Sequence, residues 1–228
     1  MYLKSIFFIL SFVFSINVLL FPQQWKIQHS LSNQNLLTSV SIVNNSTAWV
    51  SGSEVILKTT NGTDWNEVDR SQIIGNPYVI SALNDSIAFV GTFNSPNEAR
   101  IFRTTNGGES WDEVVKGIQD GLFINSIYFI NADTGFAISD PPLNQPINTF
   151  ITLFTINGGE HWTSLINAIC LEGETGFINC LSMYNNYGWF GTSKGRVFKT
   201  TDYGNNWEAI QSFVVDAKIQ GISFISEE

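Results

Sequence analysis

Three carboxylates stand out as residues that could do chemistry. Asp120, Asp140 and Glu174 lie in "KGIQDG", "SDPPLNQPINT" and "AICLEGETG", stretches rich in Gly, Pro or Asn between apolar runs. A glycoside hydrolase needs two carboxylates about 5–10 Å apart across the sugar, and chain position leaves that distance open. Metal chemistry is not expected. His29 and His161 are far apart, and neither is spaced with Cys170 or Cys180 as a zinc site requires. No phosphate loop, nucleophile elbow, haem motif or helical zinc motif occurs, and "GTSKG" at Gly191–Gly195 is too short and isolated to cradle a phosphate. No cofactor is expected.

The two cysteines can be read in two ways. An even count in an exported chain favours a Cys170–Cys180 disulfide over two buried thiols. Closing so short a loop would contribute about 3 kcal/mol on the chain-entropy account. Export is suggested by residues 1–21, where one early charge, Lys4, precedes an apolar run from Ile6. That pattern reads as a secretory signal. No small-x-small cleavage pattern stands before Pro22, so an uncleaved membrane anchor is the alternative, although the run is short for a span. The formal charge is −9 with no basic cluster. Nucleic acid and anionic membrane are therefore not expected as partners.

The elements that must position any site are written as a repeat. "TTNGTDW", "TTNGGESW", "TINGGEHW" and "TTDYGNNW" end at Trp65, Trp111, Trp162 and Trp207, in steps of 46, 51 and 45 residues. That period suits one four-stranded propeller blade. Each unit also opens with an apolar run, followed by an aromatic-bearing strand centred on Trp49, Phe89, Phe136 or Trp189. An alternating strand, the quoted turn and a last strand after the Trp complete it. Short β-branched and aromatic runs bounded by Gly, Asn, Asp and Pro indicate strands, so the fold class is all-β. Blades are expected near 39–68, 78–115, 124–166 and 177–211, within a partial propeller over 22–228.

The turn itself is a folding device. Asn106, Asn157 and Asp202 can bond downstream backbone, and Gly108, Gly159 and Gly204 can take positive φ. Asn61 and Gly62 serve in the first copy, which is one residue shorter. Each Trp can bury a large area where the last strand starts.

This pattern resembles the Asp-box, or BNR, repeat, Ser/Thr-x-Asp-x-Gly-x-x-Trp, shared by sialidases, sortilins and some glycan hydrolases. The fuller unit, as in "YGWFGTSKGRVFKTTDYGNNW", is closest to the propellers related to the photosystem II assembly factor. The resemblance runs from about Trp25 to the end. Three of the four boxes carry Asn in place of Asp, which a structural turn tolerates. In such propellers a lone strand often completes the last blade, and "WKIQHS" from Trp25 is the candidate. At the other end Ile219, Ile222 and Phe224 match Ile124, Ile127 and Phe129, so a fifth unit is expected to begin at 219 and the sequence to be a fragment.

The resemblance places the box turns on one face and ligands on the other. The second face carries the loops between strands two and three and those between blades. Asp140, Asn144, Lys194 and Arg196 are its candidate contacts, Arg196 the weakest because it falls at a strand position like Arg100 and Lys58. The leading reading is an exported, non-catalytic scaffold that binds a protein or glycan. Two alternatives are kept: a glycoside hydrolase of sialidase or xyloglucanase type, and a structural or adhesive module of a larger surface protein. A sialidase would need three convergent arginines, and Arg70, Arg100, Arg103 and Arg196 occupy positions that do not obviously converge; the Arg-Ile-Pro signature is also missing.

Overall fold

The computed structural model describes residues 26–31, 35–94, 98–118, 123–142, 148–212 and 217–223. The segment 1–21, Trp25, Asp120, Asn144 and Phe224 lie outside these residues. Four antiparallel sheets of four strands form four blades of a β-propeller, and no helix occurs among the described residues. Blade 1 comprises β1 (Leu37–Ile42), β2 (Ala48–Gly52), β3 (Ile56–Thr59) and β4 (Asn66–Glu67). Blade 2 comprises β5 (Asn76–Ala82), β6 (Ala88–Asn94), β7 (Glu98–Thr104) and β8 (Asp112–Ile118). Blade 3 comprises β9 (Ile124–Phe129), β10 (Gly135–Ser139), β11 (Thr149–Thr155) and β12 (Thr163–Ile169). Blade 4 comprises β13 (Leu181–Tyr184), β14 (Tyr187–Gly191), β15 (Arg196–Thr200) and β16 (Glu208–Gln211).

Within each blade the strands pair in chain order, so every connection is a hairpin. The first strands sit innermost and side by side: β1 packs on β5, β5 on β9 and β9 on β13. Ser39 stitches the first two, accepting from Ile80 N at 3.0 Å, while Ser41 accepts from Ala82 N at 2.9 Å. The arc returns on itself near the axis, where Asn179 Nδ2, just before β13, donates to Ser39 Oγ at 2.9 Å.

The box turns are built alike. Gly108, Gly159 and Gly204 donate their N–H to Thr104, Thr155 and Thr200 Oγ1 at 2.9, 3.0 and 3.0 Å. Asn106, Asn157 and Asp202 Oδ1 accept from the N–H four residues on, Ser110, His161 and Asn206. These glycines do more than turn the chain. Each lies over the second-strand aromatic of the preceding blade: Gly108 near Trp49, Gly159 against Phe89, Gly204 near Phe136. Gly159 has φ +75°, and a Cβ there would penetrate the Phe89 ring. The three aromatics are buried to 0, 0 and 3% exposure, and full burial of such a ring stabilises by roughly 1.5–3 kcal/mol.

Blade 1 departs from this scheme. Gly62 N still donates to Thr59 Oγ1 at 3.0 Å, but a Cβ on it would face Asn45 O of its own blade. Its one-residue-shorter turn has no second glycine to set on an aromatic. The expected lone strand at 26–30 is also not formed. Gln28 instead clips the first turn, donating to Gly62 O at 3.0 Å and accepting from Trp65 Nε1 at 3.1 Å.

Candidate functional site

The face opposite the box turns carries the hairpins between second and third strands and the crossings between blades. Its best-built part is the crossing from blade 3 to blade 4, residues 170–180. Glu174 sits in this crossing and is 1% exposed. An isolated buried carboxylate is costly, and this one is fully satisfied. Oε1 accepts from Arg196 Nε at 3.0 Å and from the Thr192 hydroxyl. Oε2 accepts from Leu171 N at 2.8 Å and from Arg196 Nη2. Burial pushes its pKa up, but these bonds outweigh burial and hold it below the usual carboxylate value. Arg196, the first residue of β15, also packs its guanidinium over the Phe198 ring at 4.9 Å.

Asp140 anchors the same crossing from the blade 3 side. Its Oδ1 accepts from Asn125 Nδ2 and Gly176 N, both at 2.7 Å. Burial raises its pKa, and those two bonds oppose the rise. Thr175 and Ser193 exchange a reciprocal pair of bonds at 2.9 Å, which ties the crossing to the β14–β15 hairpin. Asn179 ends it in a left-handed conformation, φ 58°, with its N–H on Asn125 O.

Asp140 and Arg196 thus meet one loop, through Gly176 and Glu174, as holders of that loop. Lys194 is exposed at the tip of the β14–β15 hairpin. The arginines do not converge. Arg70 donates to Glu54 O and Gly75 O, Arg100 pairs with Glu98 and Glu113, and Arg103 lies near the Gly158 turn on the other face.

The Cys170–Cys180 disulfide expected from the sequence is not formed; both thiols are free and buried. Cys170 packs in the apolar cluster of Phe136, Phe150 and Phe198, whereas the Cys180 thiol donates to Ile219 O at 3.3 Å. The two side chains serve different neighbours. Burial first, then the Glu174 charge, pushes the Cys170 thiol up to about 11. Burial raises Cys180 as well, so neither is an activated thiolate. Among the described residues, no group of three or more His, Cys, Asp or Glu side chains is placed to hold a metal ion.

Between the inner strands lies a cavity of about 390 Å³, bordered by Ile42, Ser81, Ser126, Phe129, Asn179 and Leu181 among others. Ser126 is 3% exposed, and its hydroxyl has no hydrogen-bond partner. Asn125, Ser126 and Asn179 were not legible as site residues. Their one signal is that Asn125 and Ser126 interrupt an otherwise apolar first strand, β9, and that Asn179 stands just before β13.

Comparison with known proteins gives the fold a lineage. No curated protein matches the chain. Among solved structures, an ancestral GH74 enzyme is 21% identical over 78% of this chain and 24% of its own, with a TM-score of 0.60. A Bacteroides ovatus protein, the GH43B of a xyloglucan PUL, is 14% identical over 79% of this chain and 41% of its own, with a TM-score of 0.52. The structure titled YCF48 bound to D1 peptide is 19% identical over 82% of this chain and 72% of its own, with a TM-score of 0.40. The chain spans about a quarter of the GH74 enzyme and under half of the GH43B protein. The likeness to these two enzymes is one of fold. The family profile described as photosynthesis system II assembly factor YCF48 matches residues 22–126 and 98–223, and the chain therefore belongs to that family of BNR-type β-propellers.

Proposed function

We propose that this chain is an exported, non-catalytic scaffold that binds a protein partner during assembly. The observation that carries the reading is the saturation of Glu174, whose two oxygens each accept two protein donors. Asp140 is likewise spent on holding the 170–180 crossing. A general acid or nucleophile needs a carboxyl oxygen turned to substrate. Both carboxylates are instead spent on fixing the blade 3 to blade 4 crossing, and rigid loops on a propeller suit recognition. Family membership in an assembly factor group favours a protein over a glycan as the ligand. Export rests on the apolar run within 1–21, and N-terminal sequencing of the protein recovered outside the cytoplasm tests it.

Binding is tested with a random peptide library presented to the full chain. Selected peptides are then titrated by fluorescence polarisation against the wild type and against Ser126→Trp, which fills the axial cavity. The reading expects peptides that bind the wild type and bind the variant at least tenfold more weakly. Turnover on a glycan panel, or oligosaccharide binding with no peptide binding, would overturn it.

A further inference from the structure

Three of the four box turns place a glycine directly after the Asx residue: Asn61-Gly62, Asn106-Gly107 and Asn157-Gly158. In such a step the glycine nitrogen can attack the asparagine side-chain amide, because glycine carries no side chain to obstruct the approach. All three asparagines are exposed, so access of water does not distinguish them. Their hydrogen bonds do.

In the two full-length turns the attacking N–H is taken up elsewhere. Gly107 N donates to Ser86 O at 2.9 Å and Gly158 N to Asp133 O at 2.8 Å, while the box threonine receives the second glycine, Gly108 or Gly159. The first turn is one residue shorter, and its threonine receives the attacking nitrogen itself: Gly62 N donates to Thr59 Oγ1 at 3.0 Å. The Thr59 hydroxyl in turn donates to Asn61 Oδ1 at 3.3 Å. That oxygen also accepts from Thr63 N at 3.0 Å and Asp64 N at 2.8 Å, whereas Asn106 and Asn157 Oδ1 each accept one backbone N–H. Two N–H groups aimed at a carbonyl oxygen stabilise the charge that develops there when a nucleophile adds. The leaving nitrogen is held too, Asn61 Nδ2 donating to Asp64 Oδ2 at 2.7 Å.

We infer that Asn61 is a self-modifying site, which loses ammonia through a cyclic imide formed with Gly62 and becomes an aspartyl or isoaspartyl residue. Gly62 N bonds to Asn61 Cγ and gives its proton to Thr59 Oγ1 as Thr59 passes its own to Oδ1. That proton then moves to Nδ2, the Cγ–Nδ2 bond breaks and ammonia leaves. Water opens the ring: addition at Cγ gives aspartate, and addition at the main-chain carbonyl gives isoaspartate. The product places a carboxylate where Asn61 Nδ2 now donates to Asp64, so two like charges meet in the turn that Gln28 clips.

The test ages the full chain in mildly alkaline buffer, folded and in urea. Mass spectrometry with isoaspartyl methyltransferase labelling follows all three Asn-Gly peptides. In urea the three sites should convert at similar rates. In the folded chain Asn61 should convert at least about tenfold faster than Asn106 or Asn157. Inserting a glycine between Gly62 and Thr63 restores the full-length turn and should bring Asn61 down to the rate of the other two. Thr59→Val removes the proton relay and should slow Asn61 as well. The Asn106 and Asn157 rates report folding in each variant, because they rise to the urea values if the chain opens. Conversion at Asn61 no faster than at Asn106 and Asn157 in the folded wild type would overturn the inference, as would an Asn61 rate that the insertion leaves unchanged.

Discussion

The two faces of the propeller are held by different means. On the box face, three turns use the same Thr, Asx and Gly, and each glycine rests on the aromatic of the blade before it. On the loop face, one crossing is held by a single set of partners, Glu174 with Arg196 and Asp140 with Asn125 and Gly176. Repetition spreads the stability of the box face over several modest, local contacts. The loop face concentrates it in a few long-range polar ones.

This contrast can be broken at either side. The largest effect is expected from Arg196→Ala, which leaves Glu174 buried and unpaired; chemical denaturation should show a loss of about 3–5 kcal/mol. Gly159→Ala comes next. It combines overpacking against Phe89, about 1–3 kcal/mol, with a left-handed alanine, about 1–2 kcal/mol. Gly173→Ala is its control on the loop face, because Gly173 has φ +65° but nothing within 4 Å of a Cβ. It should show the backbone cost alone. A Gly159→Ala loss no larger than that of Gly173→Ala would remove the blade-to-blade role of the box glycine. Asn157→Ala deletes the acceptor for His161 N and should cost about 0.5–1.5 kcal/mol in the same assay.

The smallest effect is in the pH dependence. Glu174 is held below its ordinary 4.5, so its contribution is fully present above that pH and is lost as pH falls through the lower, folded value. Asp140 is raised above 3.8, so its burial penalty stands at higher pH and is relieved as pH falls towards 3.8. Thermal melts between pH 3 and 6 should therefore lose acid sensitivity in Glu174→Gln and gain it in Asp140→Asn. Parallel profiles for the two variants would contradict the opposite environments assigned to these carboxylates.

The box face was legible because its causes are local. Thr104, Asn106 and Gly108 lie within one turn, so type and spacing carry the whole geometry. The shorter first turn was legible as an irregularity, but its consequence, the lack of a glycine on a preceding aromatic, needed the neighbouring blade. On the loop face, Asp140 is legible as a polar loop residue and Arg196 as a polar residue at a strand start, but their roles are not. Arg196 falls on a third strand, as its position suggests, but that placement does not reveal that Glu174, 22 residues away in sequence, claims its guanidinium. The cysteines misled because an even count says nothing about which way two side chains turn, and here they pack into separate surroundings.

The bond from Asn179 to Ser39 spans 140 residues. Every strand pair, by contrast, is made between neighbours in the chain. Hairpins of that kind form early because little chain must be confined, whereas bringing distant ends together carries the greater loop-closure cost. Folding can therefore run blade by blade, with the seam at Ser39 sealing last. By the same reasoning the seam adds to blades that are already complete as hairpins, and it is a tie between units rather than part of any one of them.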